Sequence, residues 1–279
     1  MSSSVWWITG ASRGLGRALA EVVAARGDVA VATGRVLADL PSGAGIVPMA
    51  LDVTDVAAVR ATGEQIMREH GRLDVVVNNA GYGFVGAVEE STDGDLLRIL
   101  DSNLLGAARV ARAALPHLRA TGSGRLIFVS TVGAVGTMPL LGLYNASKWA
   151  LEGLAEALAG EVAEHGVRVS IVEPGGIDTA WGTGSMQFAH PLAVYDGLRE
   201  RQFGTAAVPW AAEGTGGGTA PADVAVAIVE HATDPADERL RVLLGDDAPA
   251  MVAAALQARL DDYRRDPRFA DAERSGQGA

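Results

Sequence analysis

Apolar and polar positions follow two periods along this chain. Short unbroken apolar runs cover 5–9, 28–33, 46–51, 73–77, 125–130, 167–172 and 240–244. Between them lie longer stretches with apolar residues every three or four positions: 14–26, 55–70, 93–101, 103–120, 143–164, 222–232 and 249–264. The short runs predict strands and the periodic stretches predict helices. A strand that is apolar throughout is buried on both faces, as in a parallel sheet. Strands of that kind alternating with helices predict an α/β fold. Right-handed crossovers make it a doubly wound parallel sheet of about seven strands, a Rossmann-type single domain over 1–279 with helices on both faces. Ligands of such a sheet bind at the carboxyl ends of its strands.

The alternation breaks between about 177 and 220. This stretch is rich in glycine yet carries Trp181, Met186, Phe188, Tyr195, Phe203 and Trp210. It is too long for a plain connection and too apolar for a linker. It reads as a lid over an apolar pocket or as short helices packed on the core. The last residues, 275–279, read as a frayed tail.

Composition narrows the function classes. The net charge is −11, which argues against nucleic acid or an anionic membrane surface as partner. No run reaches the roughly 18 apolar residues of a membrane span. No basic, apolar leader is visible at the start, so a cytoplasmic location is expected. There is no cysteine, and His70, His117, His165, His190 and His231 are scattered without ligand spacing, so no metal site is expected.

The first apolar run ends in Thr9, Gly10, Ala11, Ser12, Arg13, Gly14, Leu15 and Gly16, and a helical stretch follows. Glycines there let the backbone approach a pyrophosphate, and the helix N-terminus adds partial positive charge. The second run ends in Thr33, Gly34 and Arg35. A dehydrogenase for NAD places a carboxylate at this point. Here Arg35 and Arg13 stand instead, and guanidinium groups suit a ribose 2′-phosphate. NADP(H) is therefore the expected cofactor. Asp52, beside Val53, is placed to accept from an adenine amino group or to cap the next helix. Asn78, Asn79, Ala80 and Gly81 close the fourth run, where asparagine can bond backbone or adenosine.

Tyr144 and Lys148 stand four apart in a helical stretch, on one face. A nearby ammonium favours the phenolate and draws the phenol toward working pH. Of 23 basic residues, Lys148 is the only lysine. Arginine cannot serve in a proton relay, because it keeps its proton. Apolar residues placed to surround a substrate are Tyr82, Phe84, Met138, Leu140, Leu141 and, in the lid, Trp181. They favour a hydrophobic ketone, aldehyde or secondary alcohol.

Taken in order, TGASRGLG at 9–16, LDV at 51–53, NNAG at 78–81, SNLLG at 102–106, STVG at 130–133, YNASK at 144–148 and EPGGIDT at 173–179 resemble the short-chain dehydrogenase/reductase family. Within it, 130–154 is similar to the 17β-hydroxysteroid and retinol dehydrogenase-like branch. The resemblance implies an NADP(H)-dependent oxidoreductase and assigns roles. Tyr144 would exchange a proton with the substrate oxygen. Lys148 would lower its pKa and bond the nicotinamide ribose. Asn103 would hold a water in a proton relay. Pro174, Gly175, Ile177 and Thr179 would lie along the nicotinamide or pyrophosphate. The family carries a substrate-polarising serine thirteen residues before the tyrosine. Here that position is Thr131, with Ser130 as the alternative one step earlier; neighbours on a strand point to opposite faces.

Two other functions compete. One is a non-catalytic NADP-binding redox sensor, which has no need of a tyrosine–lysine pair. The other, a sugar-nucleotide epimerase or dehydratase, would want a different glycine spacing and a larger C-terminal domain. The stretches 103–120 and 143–164 could supply the interface of a homo-dimer or homo-tetramer.

Overall fold

The computed structural model describes residues 3–179, 186–208 and 217–276. Seven parallel strands form the central sheet: β1 (Val5–Thr9), β2 (Val29–Gly34), β3 (Ile46–Ala50), β4 (Val75–Asn78), β6 (Arg125–Val129), β7 (Arg168–Pro174) and β9 (Arg241–Leu244). Their spatial order is β3-β2-β1-β4-β6-β7-β9. The order reverses between β1 and β4, which opens a crevice at their carboxyl ends.

Successive strand residues face opposite sides of the sheet. Trp7, Val31, Val76, Phe128 and Ile171 join one core, packed by α2 (Val56–His70), α4 (Ala107–Thr121) and α5 (Gly142–Val162). Trp6, Ile8, Ala30, Val77, Ile127 and Val172 join the other, under α1 (Gly14–Ala25) and α7 (Pro221–Thr233). Both faces are sealed, which is why the strands read as unbroken apolar runs. Full burial of side chains such as Ile8 and Phe128 contributes about 1.5–3 kcal/mol each.

Three features depart from the sequence pattern. The expected helices 93–101 and 103–120 are α3 (Asp93–Leu100) and α4, joined by a π-helical turn, Asp101–Gly106. A second, two-stranded parallel sheet pairs β5 (Gly83–Val85) with β8 (Met186–Phe188). After α8 (Ala248–Tyr263) a further helix, α9 (Pro267–Gly276), takes in the first two residues of the expected tail.

The described part of 177–220 holds β8 and α6 (Asp196–Phe203), packed on the domain by a buried clasp. Arg199 Nη1 lies 2.6 Å from Glu90 Oε1, both side chains at most 2% exposed. Glu90 also accepts from the Leu192 and Ala87 amides, and Arg199 donates to the Leu192 and Ala206 carbonyls. Trp181 and Trp210 lie outside the described residues.

Candidate active site

The glycine loop is fixed from behind. The buried Thr9 hydroxyl donates to the Val77 carbonyl and accepts from the amides of Asn79 and Ala80. Asn79 Nδ2 donates to the carbonyls of Thr9 and Gly10, at 2.9 and 3.1 Å. Thr9 and Asn79 thus lock the end of β1 to the end of β4, and Thr9 stays behind the cavity wall. Gly10 has a φ of +68°, and a Cβ there would come 2.8 Å from the Ala80 Cα. Only glycine fits. The first amides of α1 have no side-chain cap, since the N-cap residue, Arg13, supplies no acceptor. They stay available to an anion.

One cavity of about 770 Å³ runs along the carboxyl ends of the strands. At one end it is lined by Ser12, Arg13, Gly14, Leu15, Gly16, Gly34, Arg35, Asp52 and Val53; Ala80 and Gly81 follow. At the other it is lined by Thr131, Tyr144 and Lys148, with Pro174, Gly175 and Ile177; Thr179 stands against the glycine loop, where a Cβ on Gly14 would lie 3.4 Å from its Cγ2. Arg13 and Arg35 are exposed, and neither guanidinium has a hydrogen bond or ion pair among the described residues, although the charge of Arg35 acts on Asp52. Asp52 Oδ1 accepts from the Thr54 amide and hydroxyl, while α2 is capped by Asp55. The capping alternative for Asp52 is therefore not what the fold uses.

Tyr144 and Lys148 lie one turn apart near the start of α5, both buried. Burial pushes the phenol up to about 12, opposed by a hydrogen bond with the Thr131 hydroxyl. Burial pushes the ammonium down to about 8, opposed by the charge of Glu152. Lys148 Nζ donates to the Val129 carbonyl at 2.7 Å. The expected lowering of the phenol by Lys148 is thus corrected: the ammonium is engaged by the strand, and desolvation dominates.

Strand alternation separates Ser130 from Thr131. Ser130 also lines the cavity, but its Oγ donates to Glu152 Oε1 at 2.5 Å. Thr131 faces Tyr144 and caps the next turn by accepting from the Gly133 amide. Asn103 sits in the π turn, a common place for functional side chains. Its Oδ1 accepts from the Tyr82 amide, and its Nδ2 donates to the Tyr82 carbonyl and Ser147 Oγ, each at 3.0 Å. Gly81 lies between Asn103 and Lys148: a Cβ there would be 2.9 Å from Asn103 Oδ1 and 3.8 Å from Lys148 Nζ.

Of the apolar candidates, Tyr82, Met138 and Leu141 line the cavity. Phe84 and Leu140 do not. Phe84 is 2% exposed and packs with Ile99, Leu143 and Tyr144 in the core. Leu140 is buried with a φ of +69°, its carbonyl accepting from Gly86. Trp181 lies outside the described residues. Sequence reasoning missed Asn145, Gln187 and Met251 as lining groups, and placed Met186 only within the lid. Met186 and Gln187 arrive through the β5–β8 pairing and Met251 on α8. Neither β8 nor α8 carries a motif, whereas Asn145 lies within the YNASK motif at 144–148.

The short chain dehydrogenase family profile matches residues 4–187. Oxidoreductase BOA17 of Botryotinia fuckeliana is 41% identical over 191 residues, covering 66% of this chain and 70% of its own. Human 17-beta-hydroxysteroid dehydrogenase type 1 is 35% identical over 196 residues, covering 65% of this chain and 59% of its own. Among solved structures, a short-chain dehydrogenase from Streptomyces avermitilis superposes with a TM-score of 0.86 at 33% identity, covering 97% of this chain and 100% of that one. The chain belongs to the short-chain dehydrogenases, oxidoreductases that act on CH–OH and C=O groups.

Proposed function

We propose that this oxidoreductase uses NADP(H) to interconvert a carbonyl and an alcohol on a hydrophobic small molecule. One observation carries the reading. A single cavity joins two exposed guanidinium groups, Arg13 and Arg35, at one end to the Thr131 and Tyr144 hydroxyls and Lys148 at the other.

The chain's own groups fit a dinucleotide phosphate. Uncapped amides at the start of α1 meet the pyrophosphate, as helix N-termini do. Arg13 and Arg35 hold the 2′-phosphate through charge-assisted hydrogen bonds. With a dinucleotide bound, Asp52, Val53, Ala80 and Gly81 would border the adenosine, and Pro174, Gly175 and Ile177 the nicotinamide, with Thr179 toward its carboxamide or the pyrophosphate; all of them line the cavity. When bound, the nicotinamide supplies or accepts the hydride.

Tyr144, protonated at neutral pH, gives its proton to the carbonyl oxygen during reduction and takes it back during oxidation. Thr131 adds a second hydrogen bond where negative charge develops on that oxygen. Lys148 supplies positive charge beside the phenol and is replenished through the Asn103 side of Gly81. The substrate end is apolar, with Tyr82, Met138, Leu141, Met186 and Met251 around it. The hydroxysteroid named for the human relative is a molecule of this class. Residues 186–208 cover that end as a lid. A cytoplasmic homo-dimer or homo-tetramer built on α4 and α5 completes the reading.

The test is a screen of carbonyl compounds with NADPH and NADH side by side. Bulky apolar ketones are expected to turn over faster than small sugars, and NADPH faster than NADH. Equal turnover of both substrate classes would remove the apolar assignment. Faster reaction with NADH would remove the roles of Arg13 and Arg35.

A further inference from the structure

The helix face that carries Tyr144 and Lys148 continues to Glu152, one turn further along α5. Glu152 is 8% exposed. Its Oε1 receives the Ser130 hydroxyl, and its Oε2 lies 3.7 Å from Arg241 Nε on β9. The two neighbours at the end of β6 therefore grip the same helix face at two heights. Thr131 bonds Tyr144 and Ser130 bonds Glu152. Lys148 lies between the two grips.

We infer that Glu152 is a positioning residue of this active site: held by Ser130 and Arg241, its carboxylate is the counter-charge of the Lys148 ammonium, and it pins the end of β6 from which Thr131 reaches Tyr144. The inference rests on the roles given above to Tyr144 and Lys148.

The surrounding groups set the sign. Lys148 donates to the Val129 carbonyl on β6, feels the charge of Glu152 one turn further along α5, and has the neutral Asn103 beyond Gly81. Glu152 is met on α5 by Lys148, on β6 by Ser130, on β7 by Glu173 and on β9 by Arg241. Glu156, more exposed, ties Arg241 from the solvent side at 2.8 Å. Glu152 and Glu173 share Arg241, but only Glu152 has the Ser130 donor, and Glu173 Oε1 has no hydrogen-bond partner among the described residues. Burial pushes the Glu152 carboxyl up, opposed by the Ser130 donor and by the charges of Arg241 and Lys148; Glu173, pushed up to about 7, lacks the Ser130 donor, so of the two carboxyls Glu152 is the one that carries the negative charge. Removing that charge leaves burial unopposed at Lys148 and favours its neutral form.

Lys148 is the only lysine, so protein labelled with ¹³C-lysine gives one Cε resonance. Its titration reads the Lys148 midpoint in full-length protein without turnover. Glu152→Gln keeps the shape and the acceptor for Ser130 and is expected to lower the midpoint by about 1 pH unit. Ser130→Ala, which weakens the carboxylate, is expected to lower it by less. The basic limb of the kcat/KM profile should move the same way in Glu152→Gln. An unmoved midpoint in Glu152→Gln overturns the inference. If Glu152→Gln does not fold, an unmoved midpoint in Ser130→Ala does so. Because the titration needs no reaction, failure of the proposed carbonyl chemistry leaves its result standing. An unmoved midpoint in an active enzyme overturns the inference alone.

Discussion

Thr131 and Tyr144 line the same cavity and the threonine hydroxyl acts to lower the phenol, while Ser130, one residue earlier on the chain, donates its hydroxyl to Glu152. Threonine therefore stands where a polarising hydroxyl is needed. Thr131→Ala is expected to lower kcat/KM by about 10²–10³, the loss typical of one donor to a developing oxyanion. Thr131→Ser is expected to keep activity within roughly tenfold, since the hydroxyl is retained. Steady-state kinetics with one apolar ketone checks both. Full activity in Thr131→Ala together with an inactive Ser130→Ala would reverse the assignment.

Arg13 and Arg35 line the same end of the cavity, and neither guanidinium is tied up in a hydrogen bond or ion pair among the described residues. A hydrogen bond to a charged group contributes about 1.5–3 kcal/mol, which is roughly tenfold or more in binding. Arg35→Ala is expected to raise the KM for NADPH by about 10–100-fold and to leave the KM for NADH nearly unchanged. A parallel rise for both cofactors would place Arg35 away from the 2′-phosphate.

The Glu90–Arg199 pair is buried, and removing Glu90 leaves the Arg199 guanidinium only the half-exposed carboxylate of Asp196, 2.7 Å from Nη2, as counter-charge. Glu90→Ala is expected to destabilise the protein by about 3–5 kcal/mol. At roughly 2 °C per kcal/mol for a chain of this size, thermal melting should shift down by about 6–10 °C. A shift under about 2 °C would show that the clasp contributes little.

Glu173 is buried, and its carboxyl is pushed up to about 7, first by burial and then by Glu152. Its folded form keeps a proton that the unfolded form loses from about pH 4.5 upward. Where the folded state holds more protons, stability falls as pH rises. This cost begins near pH 4.5 and is complete above about 7. Glu173→Gln escapes it. The melting temperature of the variant relative to wild type is expected to rise by roughly 4 °C between pH 5 and pH 8. A difference independent of pH would contradict ionisation of Glu173 in this range.

The sheet was legible because each strand is sealed on both faces, so Val75–Asn78 or Arg125–Val129 shows as an unbroken apolar run. The glycine loop and the Tyr144–Lys148 pair stand out by their spacing, while the count of thirteen back to Thr131 rests on the resemblance to the family. What remained hidden depends on long-range geometry. A three-residue strand such as Gly83–Val85 has no period to detect, and its partner, Met186–Phe188, lies far along the chain. The π turn around Asn103 departs too briefly from the helical period to show in the pattern. Apolar character alone could not tell Met138, which lines the cavity, from Phe84, which packs beneath it. The contacts of Glu152 come from β6 and β9, and nothing local announces them.

The central claim is that Tyr144 transfers the proton while NADPH is consumed. The most direct measurement is ketone-dependent NADPH oxidation by wild type and Tyr144→Phe, with NADPH binding followed in both. Phenylalanine keeps the packing against Phe84 and Leu143 and removes only the hydroxyl. Unchanged NADPH binding with turnover reduced by about 10³ or more is the predicted result. Turnover retained in Tyr144→Phe, or NADPH binding with no turnover by wild type on any carbonyl compound, would contradict the account. The second of these outcomes would point to a nucleotide-sensing protein.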